Sequence, residues 1–107
     1  MKVINRIKKH DEFNKVIDEG QLVKSDSVAL YFLKNELNYL RVGISIPKKS
    51  GHAVVRNKMK RQIRAIFAKI NDYSKSFDVV VVARKKYDVN DFSKIEEDIA
   101  NLLEKVG

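Results

Sequence analysis

The spacing of apolar residues predicts that the chain begins with a short helix. Apolar side chains recur at helical intervals at Phe13, Val16 and Ile17, which predicts a helix from Asp11 to Glu19. The carboxylate of Asp11 is a candidate to accept from the first free amides of this helix, and Gly20 is a candidate for a left-handed stop.

A second pattern, between residues 21 and 46, is typical of extended chain. The segment Ser27–Lys34 contains the strand-favouring apolar residues Val28, Leu30, Tyr31 and Phe32, and Tyr39–Ile46 alternates apolar with polar positions. We interpret the alternation as a half-buried antiparallel strand, which ends at Pro47 because proline cannot donate to a ladder. The segment Gln21–Lys24 is a candidate for a shorter strand before these two.

After Gly51 the apolar period becomes helical again. The apolar stripe consists of Met59, Ile63, Ile66, Phe67 and Ile70. At about 100° per residue, basic positions lie beside this stripe, and the side expected to face solvent carries Lys58, Gln62, Ala65 and Lys69. We therefore expect the basic residues to lie along the edge of the surface on which the helix packs, where a groove would form.

The last third of the chain predicts one strand and one helix. A polar break at residues 71–75 precedes the β-branched run Asp78–Ala83, which is typical of a strand buried on both faces. A second cationic cluster, Arg84–Lys86, follows it. The C-terminal segment has apolar residues at helical spacing from Phe92 to Val106, with an acidic run, Glu96–Asp98, expected to face outward. The predicted fold is a single α+β domain, residues 1–107, in which a two-layer sandwich has the order αβββαβα.

The distribution of charge indicates a polyanionic partner. The net charge is +8, but residues 1–87 carry +12 and residues 88–107 carry −4. No acidic residue occurs in the 35 positions from Leu37 to Asn71, which include eight Lys or Arg between residues 48 and 69. Such asymmetry is typical of a nucleic-acid-binding body with an acidic tail.

Composition excludes several classes of protein. The chain has no cysteine, so it has no disulfide framework or thiol nucleophile. Its longest apolar run, Val28–Leu33, is six residues, far below the roughly 20 that a membrane-spanning helix needs. The first residues lack the apolar core of a signal peptide. We expect a soluble, cytoplasmic protein without a membrane partner.

The candidate chemistry favours binding over catalysis. The two histidines, His10 and His52, have no partner residues at the spacing of a catalytic triad or a metal site. We find no catalytic, metal-binding or small-molecule site in the sequence. The candidate nucleic-acid-binding residues are Lys48, Lys49, Arg56, Asn57, Lys58, Lys60, Arg61 and Arg64, which can contact phosphates or sugars. Three aromatic residues, Phe13, Tyr31 and Tyr39, fit either base stacking or core packing.

One run of residues resembles a family signature. The pattern K-K-x-G-x-A-V-x-R-N-x-x-K-R-x-x-R, from Lys48 to Arg64, resembles the signature of the bacterial ribonuclease P protein subunit. The similarity extends over nearly the whole chain. It includes Asn5–Phe13, Tyr39–Ile46 before the signature, and Val79–Arg84 after it.

This resemblance implies that the protein is the partner of a catalytic RNA. The family's protein assists a catalytic RNA that removes the 5′ leader of precursor tRNA, with Mg²⁺ held mainly by the RNA. The eight candidate binding residues would contact the catalytic RNA, and Phe13, Ile17 and Tyr31 would line a cleft for the leader. The family frequently has an aromatic residue where this chain has Ile17, so apolar contact rather than stacking is expected there.

The resemblance also bears on topology. Connections between parallel strands through a helix are right-handed in about 98% of cases. The resemblance instead implies a left-handed crossover around the signature helix, as in folds like domain 2 of ribosomal protein S5.

Two other functions fit parts of the sequence. A ribosomal or general RNA-binding domain would explain the basic segment without any processing role. A stand-alone nuclease would need carboxylates clustered around a metal ion, and the basic segment contains none.

Overall fold

The computed structural model describes residues 6–69 and 75–106, and it has the predicted order of elements. The helices and strands are α1 (His10–Glu19), β1 (Gln21–Lys24), β2 (Val28–Lys34), β3 (Arg41–Ser45), α2 (Ala53–Lys69), β4 (Phe77–Ala83) and α3 (Phe92–Leu103). A 3₁₀ turn, Lys48–Ser50, lies between β3 and α2. The α+β class is confirmed, and the candidate strand Gln21–Lys24 is present.

The four strands form one sheet with β4 near its centre. The strand order is β1-β2-β4-β3, with β4 antiparallel to β2 and parallel to β3. Val79, Val80 and Val81 are fully buried. The prediction of a strand covered on both faces is confirmed, because a β-branched run with no polar alternation suits a central position.

The predicted antiparallel pairing of β3 is wrong. β3 pairs with β4 in parallel register, with Val42 opposite Val79. Alternation reports that one face is buried, whereas strand direction depends on the connection, and the long crossover through α2 returns the chain in the same direction. The outer edge of β3 is engaged by the N-terminal segment, since the amide of Ile7 donates to Val42 O at 3.1 Å.

The helices are divided between the two faces of the sheet. The main core, in which α2 and α3 cover one face, includes Leu30, Val81, Ile63, Phe67 and Ile99. On the opposite face α1 packs over β2, β4 and β3, with Val16 fully buried. The apolar stripe of α2 is confirmed from Met59 to Phe67, and Ile70 lies outside the described residues.

Two predictions of solvent exposure are wrong, one for the acidic run of α3 and one for a side of α2. Contacts around α3 engage residues of both. Glu96 pairs with Lys69 of α2 at 3.1 Å, and Asp98 accepts from the buried hydroxyl of Ser27 at 2.6 Å. Gln62 of α2 donates to Val89 O at 2.8 Å. Side chains that flank two neighbouring apolar stripes meet at the helix–helix boundary, so Gln62 and Lys69 of α2 face α3 and its preceding loop.

Both ends of α1 differ from the sequence prediction. The residue before the helix is Lys9, no side chain caps this end, and Asp11 lies in the first turn. Gly20 is extended, with φ −77° and ψ 169°, rather than left-handed. A methyl group at Gly20 would lie 2.3 Å from Val16 O and 2.7 Å from Phe32 O. Glycine is needed here for a close approach of backbones and not for a positive φ.

The connection β3–α2–β4 joins two adjacent parallel strands. The left-handed crossing that the resemblance implies for it stays a prediction. Among the described residues, no helix combines the length and apolar character needed to cross a membrane.

The crowding at Gly20 predicts a specific pattern of stability. Gly20→Ala should lower the free energy of unfolding by about 1–3 kcal/mol, because both blocking atoms are backbone carbonyl oxygens that cannot turn away. Gly20→Asn should lower the free energy of unfolding at least as much, whereas a glycine in the left-handed conformation could be replaced by asparagine with little loss of stability. Urea unfolding measures both, with the exposed Glu19→Ala as the control. Wild-type stability of Gly20→Asn would contradict the close approach.

Candidate nucleic-acid interface

Helix α2 is held by its apolar side and presents cations along the rest of its surface. Met59, Ile63, Ile66 and Phe67 are buried against the sheet and α3. Asn57, Lys58, Arg61 and Arg64 are exposed, and Arg56 and Lys60 are half-buried. The burial of four apolar side chains fixes the rotation of the helix, so the cations are presented in a defined orientation.

The turn before α2 places the first two candidate cations. The 3₁₀ turn is closed by a hydrogen bond from the amide of Ser50 to Pro47 O at 3.0 Å, and Lys48 and Lys49 are exposed on it. Gly51 follows at φ 142°, a conformation that favours glycine. Nε of Arg56 donates to Gly51 O at 3.2 Å. Arg56 therefore supports the turn and still carries a full charge.

A groove runs along the outer edge of β3, between α1 and α2. Lys60 and Arg64 border it from α2, and Phe13 borders it from α1. Its remaining lining residues come from the N-terminal segment and β3, and they are Arg6, Ile7, Lys8, Val42, Gly43 and Ile44. Of the basic residues predicted beside the apolar stripe, Lys60 and Arg64 thus lie at the margin of a groove, whereas Arg56, Arg61 and the neighbouring Asn57 do not line it. The contribution of Arg6 and Lys8 was missed, although the basic N-terminus was a signal for it.

Gly43 explains how Phe13 reaches this position. A methyl group at Gly43 would lie 2.8 Å from Cε2 and 2.9 Å from Cδ2 of Phe13, and 3.5 Å from Cδ1 of Ile7. The ring therefore packs directly over bare backbone of β3. A side chain at position 43 would displace the ring from the groove wall.

The other two predicted cleft residues lie near this groove but do not line it. Tyr31 is opposite Val80, which is in turn opposite Gly43, so the three residues form one row on the face that α1 covers. With strands about 4.8 Å apart, Tyr31 is roughly 10 Å from Gly43. Ile17 is one turn after Phe13 on α1 and is half-buried. The structure therefore places Phe13 in the groove and Tyr31 on the same sheet face, two strands away.

A network of charged side chains joins α1 to the sheet beside the groove. Arg41 binds Asp78 through two hydrogen bonds, Nε to Oδ1 at 2.9 Å and Nη2 to Oδ2 at 2.6 Å. Its Nη2 also donates to Glu12 Oε2 at 2.8 Å. The hydrogen bonds with Asp78, followed by that with Glu12, raise the pKa of Arg41 further above its usual value. Alternation suggested that Arg41 faces solvent, and only the three-dimensional pairing identifies its role.

A second pocket is lined by residues from both cationic clusters of the sequence. It is lined by Lys49 of the 3₁₀ turn and by Arg84 and Lys85, which follow β4. Tyr87 borders it, and its hydroxyl donates to Gln62 Oε1 at 3.0 Å. Burial raises the pKa of Tyr87 to about 12.

The candidate cations are electrostatically available. Within residues 6–69 and 75–106, none of the seven cations among the predicted binding residues forms an ion pair with a carboxylate. Three or more metal-ligating side chains do not cluster anywhere in that part of the chain. The arrangement is suited to binding a phosphate backbone.

Known proteins resemble this chain over nearly its whole length. The family model described as Ribonuclease P matches residues 1–107. A ribonuclease P protein component from Clostridium botulinum is 38% identical over 106 residues, covering 96% of this chain and 95% of the relative. One from Streptococcus agalactiae is 35% identical over 107 residues, covering 100% and 98%.

Solved structures give the same result. The ribonuclease P protein from Thermotoga maritima is similar with a TM-score of 0.86 and 32% identity, covering 95% of this chain and 97% of that one. The match thus extends over the sheet, the three helices and the segment that carries the cations. The chain belongs to the ribonuclease P protein family.

Proposed function

We propose that this chain binds the catalytic RNA of ribonuclease P through α2 and the Lys48–Ser50 turn, and holds the 5′ leader of precursor tRNA beside Phe13. As a ribonuclease P protein component, it is an accessory subunit of an endoribonuclease of tRNA 5′ processing. The observation that carries the proposal is a row of cations on an anchored helix that borders a groove with an aromatic wall, and within residues 6–69 and 75–106 these cations have no carboxylate partner.

The cations of α2 are suited to an RNA backbone. Each Lys or Arg that neutralises a phosphate releases condensed counterions, which favours association and makes it salt-dependent. Arg61 and Arg64 are exposed and can form bidentate bonds to phosphate oxygens or guanine edges. The rest of the proposed contact surface comprises Lys48, Lys49, Arg56, Asn57, Lys58 and Lys60.

The groove is suited to a single strand. Lys60 and Arg64 line one side and Phe13 lines the other, so a strand within it would have its phosphates near cations and a base or ribose near an aromatic ring. Ile17 and Tyr31 would extend this surface along α1 and the sheet. The leader is the single-stranded part of a precursor tRNA, whereas the folded tRNA body presents mostly paired bases.

The chemistry belongs to the RNA in this proposal. The Mg²⁺ ions that hydrolysis requires are held mainly by RNA phosphates, and the protein positions the leader near them. The complex acts in the cytoplasm on precursor tRNA, without a membrane or a small-molecule substrate.

Reconstitution with the catalytic RNA of the same genome tests the function directly. At low Mg²⁺ concentration the protein should increase the rate of precursor cleavage, because its cations reduce the repulsion between the two RNAs. The holoenzyme should also bind precursor tRNA more tightly than leaderless tRNA. Equal affinity for the two substrates, with no gain in cleavage, would favour a general RNA-binding domain without a processing role.

Removal of single cations from α2 should change the salt dependence of RNA binding. Arg61→Gln and Arg64→Gln should each reduce the slope of log K against log salt by about one unit, if each side chain contacts one phosphate. The measurement is the affinity for the catalytic RNA over a range of salt concentrations. Lys105→Gln, at an exposed position after α3, is the matched control and should leave the slope close to that of the wild type. Unchanged slopes for both arginine variants would indicate a purely structural role.

Displacement of Phe13 should affect the leader selectively. Gly43→Ala should weaken holoenzyme binding of precursor tRNA and leave leaderless tRNA unaffected, because the new methyl group displaces the aromatic ring. Phe13→Ala should lose up to about 1–3 kcal/mol of leader binding, the range for a stacked base. An equal loss for both substrates in either variant would contradict a leader contact at this ring.

A further inference from the structure

The ion pair between Glu12 and Arg41 fixes α1 at one point on the sheet. Arg41 is held by Asp78 of the central strand, and the side chains of Arg41 and Asp78 are 14% and 10% exposed. The side-chain amide of Asn35 also donates to Asp78 Oδ1 at 2.8 Å. Because its guanidinium is already immobilised, Arg41 offers Glu12 a rigid partner, and little conformational entropy is lost when the α1 contact forms.

A second point of attachment lies two residues further along β3. Glu12 lies over Arg41, and the next residue of α1, Phe13, packs over Gly43. Arg41 and Gly43 are on the same face of β3 and are roughly 6.6 Å apart along the strand. Two adjacent residues of α1 are therefore fixed on two successive same-face positions of β3, which determines both the location and the direction of the helix.

Glu12 is an acidic residue close to a groove that is lined mainly by cations and apolar residues. A carboxylate beside a groove for RNA would repel the phosphates, so a free acid at this position would oppose binding. Glu12 shares Arg41 with Asp78, so the three side chains together keep one negative charge, but the pairing offsets part of the repulsion from Glu12 and uses the carboxylate to hold the helix. The side chain of Glu12 is 36% exposed, and thus it can be altered without unpairing the more buried Asp78.

We propose that Glu12 is a positioning residue for the leader, which acts through Arg41 to keep Phe13 on the groove side of α1. The inference rests on the proposed leader-binding function and adds a residue that does not itself contact RNA. Glu12 would thereby increase affinity for a polyanion even though it is acidic.

The test compares two variants that remove one negative charge from the same turn of α1. Asp11→Ala removes an exposed carboxylate that has no ion-pair partner in the described part of the chain, and it should bind precursor tRNA as tightly as the wild type or slightly more tightly. Glu12→Ala should bind precursor about two- to fivefold more weakly, the range for one partly exposed ion pair. The assay uses the reconstituted holoenzyme with precursor tRNA and, separately, with leaderless tRNA. Affinity for leaderless tRNA and for the catalytic RNA should not fall in either variant.

A double-mutant cycle separates positioning from general destabilisation. In a Phe13→Ala background, Glu12→Ala should cause no further loss of leader binding, because the ring that it positions is absent. Additive losses would overturn the proposal, and so would a Glu12→Ala variant that matches Asp11→Ala. Unfolding midpoints of all variants identify any loss of fold.

The two hypotheses fail differently in this experiment. If the wild-type holoenzyme does not distinguish precursor from leaderless tRNA, then the proposed leader function and the role of Glu12 are both wrong. If the wild type distinguishes them and Glu12→Ala does so equally well, only the role of Glu12 is wrong.

Discussion

The rest of the structure depends on the pair formed by Arg41 and Asp78. These residues lie directly opposite each other in the parallel register of β3 and β4, and their two hydrogen bonds connect the edge strand to the central one. Asp78 is 7% exposed, so removing its partner would leave a buried charge, at a cost of about 3–5 kcal/mol. The same pair holds α1 through Glu12 and the turn after β2 through Asn35. The groove wall is thus attached to the sheet by a polar network as well as by apolar packing.

Sequence periodicity predicted the elements that are buried along their length. The strand β4 and the apolar stripe of α2 were identified because burial on two faces, or on one helical side, leaves a clear period of apolar residues. The direction of β3 was predicted incorrectly because alternation is the same in parallel and antiparallel strands. Gly20 was also misinterpreted. Its constraint comes from the carbonyl oxygens of Val16 and Phe32, and the second belongs to a residue 12 positions away, an approach that no local pattern reports.

The candidate site was predictable where its residues share one helix and was not predictable where they come together from distant segments. Helical periodicity placed Lys60 and Arg64 beside the packed side of α2, and in the structure they lie at the margin of a groove. The opposite wall depends on Phe13 meeting Gly43 across 30 positions of sequence. Arg41 alternates like a solvent-facing residue, and its partner Asp78 is 37 positions away. The signature from Lys48 to Arg64 identified the family without revealing this second wall.

The separation of charges along the sequence has a structural meaning. Several acidic side chains form contacts that stabilise the fold. Glu12 and Asp78 bind Arg41, Glu96 binds Lys69, and Asp98 accepts a hydrogen bond from Ser27. An acid within the signature segment would lie three or four residues from a cation of α2 and would pair with it. That pair would have to be broken before the cation could bind a phosphate. The absence of acids from residues 37–71 therefore keeps the signature cations of α2, from Arg56 to Arg64, free of neighbouring acids along the sequence, while acids elsewhere hold together the scaffold that presents them.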